Sequence, residues 1–270
     1  MRFRLAGLLV LLPLAVGCAA SASPSRASME AALVEIQPNH EDGARELPLR
    51  GVRNGRDLGG HAGLYATIPP NHFFRTASMH AATEDDKKIL LEHGVKLDVD
   101  LRTFVEAVKS PDALAGDPRF HYERISLFGV GLLDWASNDS RGDMYADALA
   151  DHQGQFRKVF HALASQPEGA VLFHCAAGKD RTGLIAALLL SLAGVDRAEI
   201  VHDYAVSAHY LHPEAVGREA LYNAIEGSPP SAIEEFLDAL DNQYGGARSY
   251  LRTIGVSEED IRTLSERLGQ

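Results

Sequence analysis

The sequence of 270 residues has only two cysteines, Cys18 and Cys175, and lacks any block of basic residues. Lys and Arg total 26 against 37 Asp and Glu, which gives a net charge of −11. This balance argues against a nucleic-acid partner, because such a partner requires a basic stripe or patch. An anionic substrate would meet an overall repulsive field, so any attraction for it must be built locally.

The sequence also lacks an apolar run of about 20 residues, the length that a membrane-spanning helix needs. The N-terminal apolar stretch, Leu5–Val16, is shorter, follows Arg2 and Arg4, and ends in "LAVGC" at Cys18. This pattern predicts a signal peptide over residues 1–17 and resembles the lipobox of bacterial lipoproteins. We therefore expect Cys18 to be acylated and to anchor the protein at the periplasmic face of the envelope. The alternative is an ordinary secretory signal and a secreted protein.

Acylation of Cys18 would leave Cys175 with no cysteine to pair with, hence no structural disulfide. A free thiol in an exported protein favours a reactive role for Cys175. The alternative is a buried cysteine that acts as a small hydrophobic residue.

Beyond the signal, residues 18–45 are rich in Ala, Ser and charge without periodicity, which predicts a tether. Residues 46–270 show one alternation of strands and helices and are predicted to form one α/β domain with a helical C-terminal part. Continuous apolar strands such as "AVLFH" indicate a mostly parallel sheet flanked by helices. The predicted strands are Val95–Leu101 and Ala170–His174. The predicted helices are one that follows Thr83, then Gly142–Asp151, Gln153–Ala164, Thr182–Ala193, Arg197–Tyr210, Ser231–Gln243 and Ser257–Leu268.

The segment "HCAAGKDRTG" joins the strand that ends at His174 to the buried helix from Thr182. A tight loop at this place points backbone N–H groups and the positive end of the helix at one spot, where Cys175 would be a thiolate. The forked guanidinium of Arg181 suits two oxygens of a phosphoryl group. Thr182 can donate its hydroxyl to the sulfur, and His174 can hold the loop through its ring. The segment therefore predicts an anion cradle with a nucleophile at its base.

This segment resembles the signature of the protein-tyrosine-phosphatase superfamily, His-Cys-x5-Arg-Thr/Ser. More narrowly, it resembles exported bacterial phosphatases that act on phosphotyrosine and phosphoinositides. The resemblance implies that Cys175 attacks phosphorus and forms a cysteinyl-phosphate, that Arg181 holds the equatorial oxygens, and that no metal or cofactor is needed. It also implies a phosphate cradle of backbone amides from Ala176, Ala177, Gly178, Lys179, Asp180 and Arg181. Further similar blocks are Asn54–Gly60, Phe73–Met79, Val99–Glu106 and Ile200–Leu211.

The leaving group needs a proton, usually from a carboxylic acid. Asp100 is the first candidate, because it lies at the C-terminal end of the strand Val95–Leu101, the sheet edge where α/β proteins bind ligands. The alternative is that Asp100 only pairs with Arg102 or Arg75. Asp180 is a second candidate for the acid, because it lies within the loop.

Lys179 adds a positive charge that would suit a second phosphate, as on an inositol ring; the alternative is a solvated lysine. We therefore expect phosphotyrosine, a phosphoinositide, or both as substrates. A second hypothesis keeps the fold but makes the substrate an inositol polyphosphate or another small phosphate ester. A third is a catalytically silent module that binds phosphorylated ligands, which would not need the thiol.

Overall fold

The computed structural model of the protein describes residues 38–128, 140–166, 168–212 and 229–270. The strands are β1 (Arg56–Asp57), β2 (Phe73–Thr76), β3 (Val95–Asp100), β4 (His121–Arg124) and β5 (Ala170–His174). The helices of the first half are α1 (His40–Arg45), α2 (Glu84–Glu92), α3 (Phe104–Lys109), α4 (Arg141–Asp151) and α5 (Gln153–Ser165). Those that follow β5 are α6 (Asp180–Leu192), α7 (Arg197–Ala205), α8 (Ser207–Leu211), α9 (Pro230–Tyr244), α10 (Ala247–Thr253) and α11 (Glu258–Arg267).

The five strands form one sheet in the order β1-β2-β5-β3-β4. β1 pairs antiparallel with β2, and the other neighbours pair parallel. β5 is therefore the central strand, with Thr76 of β2 and Asp100 of β3 both opposite His174. The predicted mostly parallel α/β fold is confirmed, and the carboxyl ends of three strands meet where β5 continues into "CAAGKDR".

Apolar residues pack against both faces of the sheet, because neighbouring residues of a strand point to opposite sides. Val171 and Phe173 belong to the larger core, which includes α4, α5, α6 and α9, whereas Phe74 and Leu172 belong to a smaller core with α2. Helix α6 is buried along nearly its whole length. A helix surrounded by core keeps its orientation, so the first turn of α6 is a rigid support for the loop that precedes it.

Residues 40–45, which the sequence assigned to the tether, instead form helix α1. Asn39 and Asp42 make a capping box at its start. Asp42 lies 2.8 Å from His202 Nε2, and Arg45 lies 3.2 Å from His61 Nδ1. These contacts are with residues distant in the chain, so a polar segment without apolar periodicity carries no local sign of them.

The helix predicted over Arg197–Tyr210 is two helices, α7 and α8, that meet at Val206. None of the described helices is both long enough and apolar enough to span a bilayer. The predicted signal peptide, Cys18 and the tether up to residue 37 lie outside the described residues.

Candidate active site

The loop between β5 and α6 carries the predicted nucleophile at its first position. Cys175 is 1% exposed and sits directly after the central strand. Gly178 has a φ of +67°, and a side chain there would come within 2.2 Å of the Thr76 carbonyl oxygen. Only glycine fits this close turn against β2, which lets the chain curl around Cys175.

The thiol of Cys175 is activated by its neighbours. Burial alone acts to raise its pKa, but the charge of Arg181 and the hydroxyl and amide of Thr182 bring the pKa below the ordinary value. Arg181 and Thr182 belong to the first turn of α6, whose positive end adds to the same effect. A thiol of lowered pKa, a guanidinium and a helix N-terminus thus lie together at the start of α6.

Arg181 is held in a fixed orientation by Glu106 of α3. Its Nη1 and Nη2 donate to Glu106 Oε2 and Oε1, each at 2.7 Å. Burial acts to raise the pKa of Glu106, but the hydrogen bonds from Arg181 and from the Thr103 amide bring it down to about 2. This paired geometry aligns the planar guanidinium, which is the requirement for a bidentate grip on phosphate oxygens. Glu106 was not predicted as a site residue.

His174 lies beneath the loop among three buried carboxylates. Its Nδ1 is 3.2 Å from the Cys175 carbonyl oxygen, and its Nε2 is 3.1 Å from Asp112 Oδ2 and 3.3 Å from Asp98 Oδ1. Burial acts to lower the pKa of His174, but the charges of Asp98, Asp100 and Asp112 raise it to about 9. The ring thus lies between the Cys175 carbonyl oxygen on its Nδ1 side and acidic side chains on its Nε2 side.

Asp98, Asp112 and His174 also bring three potential metal-ligand atoms within 4.8 Å of one another. The three side chains are all buried. The His174 ring meets the loop at the Cys175 carbonyl oxygen, a contact of the kind predicted for this ring.

Asp100 has both oxygens occupied inside the protein. Arg102 donates to Oδ1 and Oδ2 at 2.9 and 2.8 Å, and the Tyr122 hydroxyl donates to Oδ2 at 2.9 Å. The carboxyl is fully buried, which acts to raise its pKa, but the hydrogen bonds and charge of Arg102 lower the pKa below the usual range. An acid with a lowered pKa is a poor proton donor at neutral pH. The geometry favours the alternative that Asp100 pairs with Arg102.

Asp180 begins α6 and lies closer to solvent, with 17% of its side chain exposed. Arg141 donates to its Oδ1 at 2.9 Å, and the Tyr145 hydroxyl makes a short hydrogen bond to the same oxygen. Within the described part of the chain, Oδ2 has no hydrogen-bond partner. Asp180 is thus held in place through one oxygen while the other remains available.

Lys179 is 8% exposed, and its Nζ lies 3.6 Å from Asp180 Oδ1. Burial is the main cause that lowers its pKa. The alternative of a solvated lysine does not describe this side chain, because it is packed into the loop beside Asp180.

Several known proteins are similar to this chain in sequence or in structure. A sequence model described as "Tyrosine phosphatase family" matches residues 47–270. A tyrosine-protein phosphatase of Nostoc commune is 48% identical over 223 residues, which cover 75% of this chain and 76% of that protein. The triple specificity protein phosphatase PtpB of Mycobacterium tuberculosis is 25% identical over 275 residues, with 82% and 97% covered. The solved structure of P. aeruginosa TpbA shares 18% identity at a TM-score of 0.28, over 57% of this chain and 86% of TpbA.

Proposed function

Because the chain belongs to the tyrosine phosphatase family, we propose that it hydrolyses phosphotyrosine through a cysteinyl-phosphate formed on Cys175. The observation that carries this proposal is the activated thiol of Cys175 next to Arg181, which Glu106 holds at 2.7 Å through both oxygens. A module that only binds phosphorylated ligands would not need a thiol of lowered pKa at the base of the loop.

In the first step the Cys175 sulfur forms a bond to phosphorus as the ester P–O bond breaks. Arg181 and the loop amides stabilise the charge on the equatorial oxygens. The proton for the leaving oxygen comes from Asp180, which lies in the loop with one carboxylate oxygen available. In the second step water attacks phosphorus, Asp180 takes the proton from that water, and the P–S bond breaks to release inorganic phosphate.

Hydrolysis of p-nitrophenyl phosphate and of a phosphotyrosyl peptide tests the proposal. We expect turnover that vanadate inhibits and EDTA does not affect. Cys175→Ser should abolish it, because a hydroxyl is a much weaker nucleophile at neutral pH. Cys18→Ser changes the chain's other cysteine and serves as the matched control. Turnover retained in Cys175→Ser would contradict the mechanism.

Phosphoinositides are the second proposed substrate class. The support for them is an exposed apolar surface on helix α3. Helix α3 exposes Phe104, Val105 and Val108 to 62%, 49% and 60%. The same helix carries Glu106, so these apolar side chains lie on the element that orients Arg181. The Arg124 guanidinium lies 5.4 Å from the centre of the Phe104 ring. Aromatic and aliphatic side chains next to a cation suit the interface of an anionic bilayer.

The double variant Phe104→Ser/Val108→Ser separates a lipid surface from a soluble substrate. We expect slower release of phosphate from phosphoinositide in vesicles, with the rate on a short-chain, water-soluble phosphoinositide unchanged. An equal loss on both forms would contradict a membrane-contacting role of α3. Inositol hexakisphosphate as a third substrate tests the inositol polyphosphate hypothesis, which predicts a higher kcat/KM for it than for the phosphoinositide.

The proposed location is the periplasmic face of the envelope, with acylated Cys18 as the anchor. The support is the stretch Leu5–Val16 followed by "LAVGC". Cys18→Ala should move the protein from the membrane fraction to the soluble fraction, whereas Cys175→Ala should leave it membrane-bound. Membrane association retained in Cys18→Ala would contradict lipid anchoring through this residue.

A further inference from the structure

Three consecutive carbonyl groups of the catalytic loop are bound by groups outside it. The Ala176 oxygen accepts from the Ser78 amide at 3.0 Å. The Ala177 and Gly178 oxygens both accept from Asn54 Nδ2, at 3.0 and 3.1 Å, and the Gly178 oxygen also accepts from Arg75 Nη2 at 2.8 Å. In a trans peptide the C=O and the following N–H point in opposite directions. Holding these carbonyls therefore points the N–H groups of residues 177 to 179 the other way.

The side chains that bind the Ala177 and Gly178 carbonyls converge on one buried carboxylate, Asp203 of α7. Arg75 Nη1 makes a short ion pair with Asp203 Oδ2, and Arg56 Nε donates to Oδ1 at 2.9 Å. Arg56 Nη1 in turn donates to Asn54 Oδ1 at 2.5 Å, which orients the Asn54 amide toward the loop. Arg56 and Arg75 are fully buried, and Asp203 is 2% exposed. Burial acts to raise the pKa of Asp203, but the two guanidinium charges bring it far below the usual range.

We infer that Asp203 is a positioning residue for phosphate binding. It fixes Arg75 directly, and Asn54 through Arg56, and these two side chains hold the loop with its amides directed at the phosphate. The inference rests on the proposed function of the Cys175 loop. Asp203 itself touches neither substrate nor sulfur in this scheme.

In Asp203→Asn, an effect of charge and an effect of positioning would change the affinity for phosphate in opposite directions. The substitution removes a negative charge behind the loop, and by Coulomb's law alone an anion should then bind more tightly. If Asp203 acts by positioning, the two arginines lose their shared anchor, the carbonyls are released and the anion binds more weakly. Misplacement of aligned groups by about 1 Å costs up to about 100-fold. Weaker binding therefore identifies the positioning role.

Asn54→Gly tests the same inference without changing any charge. Asn54 has a φ of 57°, a conformation that glycine adopts readily, so the variant removes the side-chain amide and leaves the backbone unstrained. Asn71→Gly is the matched control, because Asn71 has a φ of 63° and its side chain instead contacts the half-buried His93. The Asp203→Asn variant buries two arginines without their carboxylate. If that variant fails to fold, the phosphate affinity of Asn54→Gly decides whether the inference holds.

The measurement is protection of Cys175 from iodoacetamide by inorganic phosphate, which reports phosphate affinity without turnover. We expect the Kd for phosphate to rise about 10-fold or more in Asp203→Asn and Asn54→Gly and to stay at the wild-type value in Asn71→Gly. Wild-type affinity in a folded Asn54→Gly variant, or tighter binding in Asp203→Asn, would overturn the inference alone. Absence of protection in the wild-type protein would instead overturn the proposed function of the loop.

Discussion

Glu106 offers the sharpest test of how the site is built, because it controls Arg181 from another helix. Glu106→Gln keeps the size of the side chain and one acceptor oxygen. The new amide, however, presents N–H groups to a guanidinium nitrogen that also donates. One of the two 2.7 Å hydrogen bonds is therefore lost, and Arg181 is no longer held in one plane.

The size of the effect follows from two opposing contributions. A hydrogen bond to a charged group contributes about 1.5–3 kcal/mol. Loss of the negative charge of Glu106 acts in the opposite direction, because Arg181 then attracts phosphate more strongly. For a partly exposed ion pair such as Arg181–Glu106, this gain is about 1 kcal/mol. The loss of orientation is larger, and the difference corresponds to a fall of about tenfold in kcat/KM.

The assay is steady-state hydrolysis of p-nitrophenyl phosphate, with thermal unfolding of each variant measured in parallel. Glu106 also closes a capping box, since its Oε2 accepts from the Thr103 amide and hydroxyl at 2.8 Å. Asp86→Asn is the matched control, because Asp86 makes the same capping contacts with Thr83 on α2. The reasoning is refuted if Glu106→Gln loses thermal stability as Asp86→Asn does but keeps the wild-type kcat/KM.

Two further predictions concern the proton donor and the dependence of stability on pH. Asp180→Asn should slow hydrolysis of phenyl phosphate by about 10²-fold or more but affect 2,4-dinitrophenyl phosphate much less, because the better leaving group needs no proton; the same selectivity in Asp100→Asn instead would reverse the assignment. Burial is the main cause that lowers the pKa of His61 to about 4, and Arg45 lies 3.2 Å from its ring. As the pH falls, the unfolded chain therefore binds the proton before the folded chain does. The His61 contribution to the free energy of unfolding is present above pH 6.5 and is lost as the pH falls toward 4, by about 3 kcal/mol. Urea unfolding at pH 7.5 and 4.5 should show a smaller loss in His61→Asn than in the wild type, and equal losses would contradict this role.

The nucleophile loop was predictable because its chemistry is local. Strand β5 has the predicted bounds, Ala170–His174, since four apolar residues in a row specify a buried strand that ends at His174. Helix α6 begins at Asp180, two residues before the predicted start at Thr182. The prediction began the helix too late because Lys179 and Asp180 are polar and the apolar pattern starts after them. Cys175 and Arg181 then lie six residues apart, on either side of a single turn.

Glu106 illustrates what could not be predicted. Thr103 and Glu106 have the spacing of a capping box, which signals the start of a helix. Nothing in that spacing reveals that the same carboxylate reaches Arg181, 75 residues along the chain. The two are brought together because β3, which leads into α3, pairs with β5, which leads into the loop.

Asp100 and Asp203 also show that a local pattern predicts where a residue lies but not which distant residues it contacts. The position of Asp100 at the end of a strand was correctly read, but its availability as an acid depends on Arg102 and Tyr122, which cover both of its oxygens. Asp203 lies 147 residues from Arg56 and 128 from Arg75, so its importance appears only when α7 packs behind the loop.

By itself, then, the order of residues determined which atoms could react: a thiol, a guanidinium and a run of amides joined to a buried strand and a buried helix. Those choices depend on apolar periodicity and side-chain chemistry, which are local properties. The folded structure decided which charges face one another. Glu106 is the carboxylate that holds Arg181, Asp100 is paired with Arg102, and Asp180 remains available in the loop. Electrostatic roles depend on distances of a few ångströms between residues far apart in the chain, and only tertiary packing sets those distances.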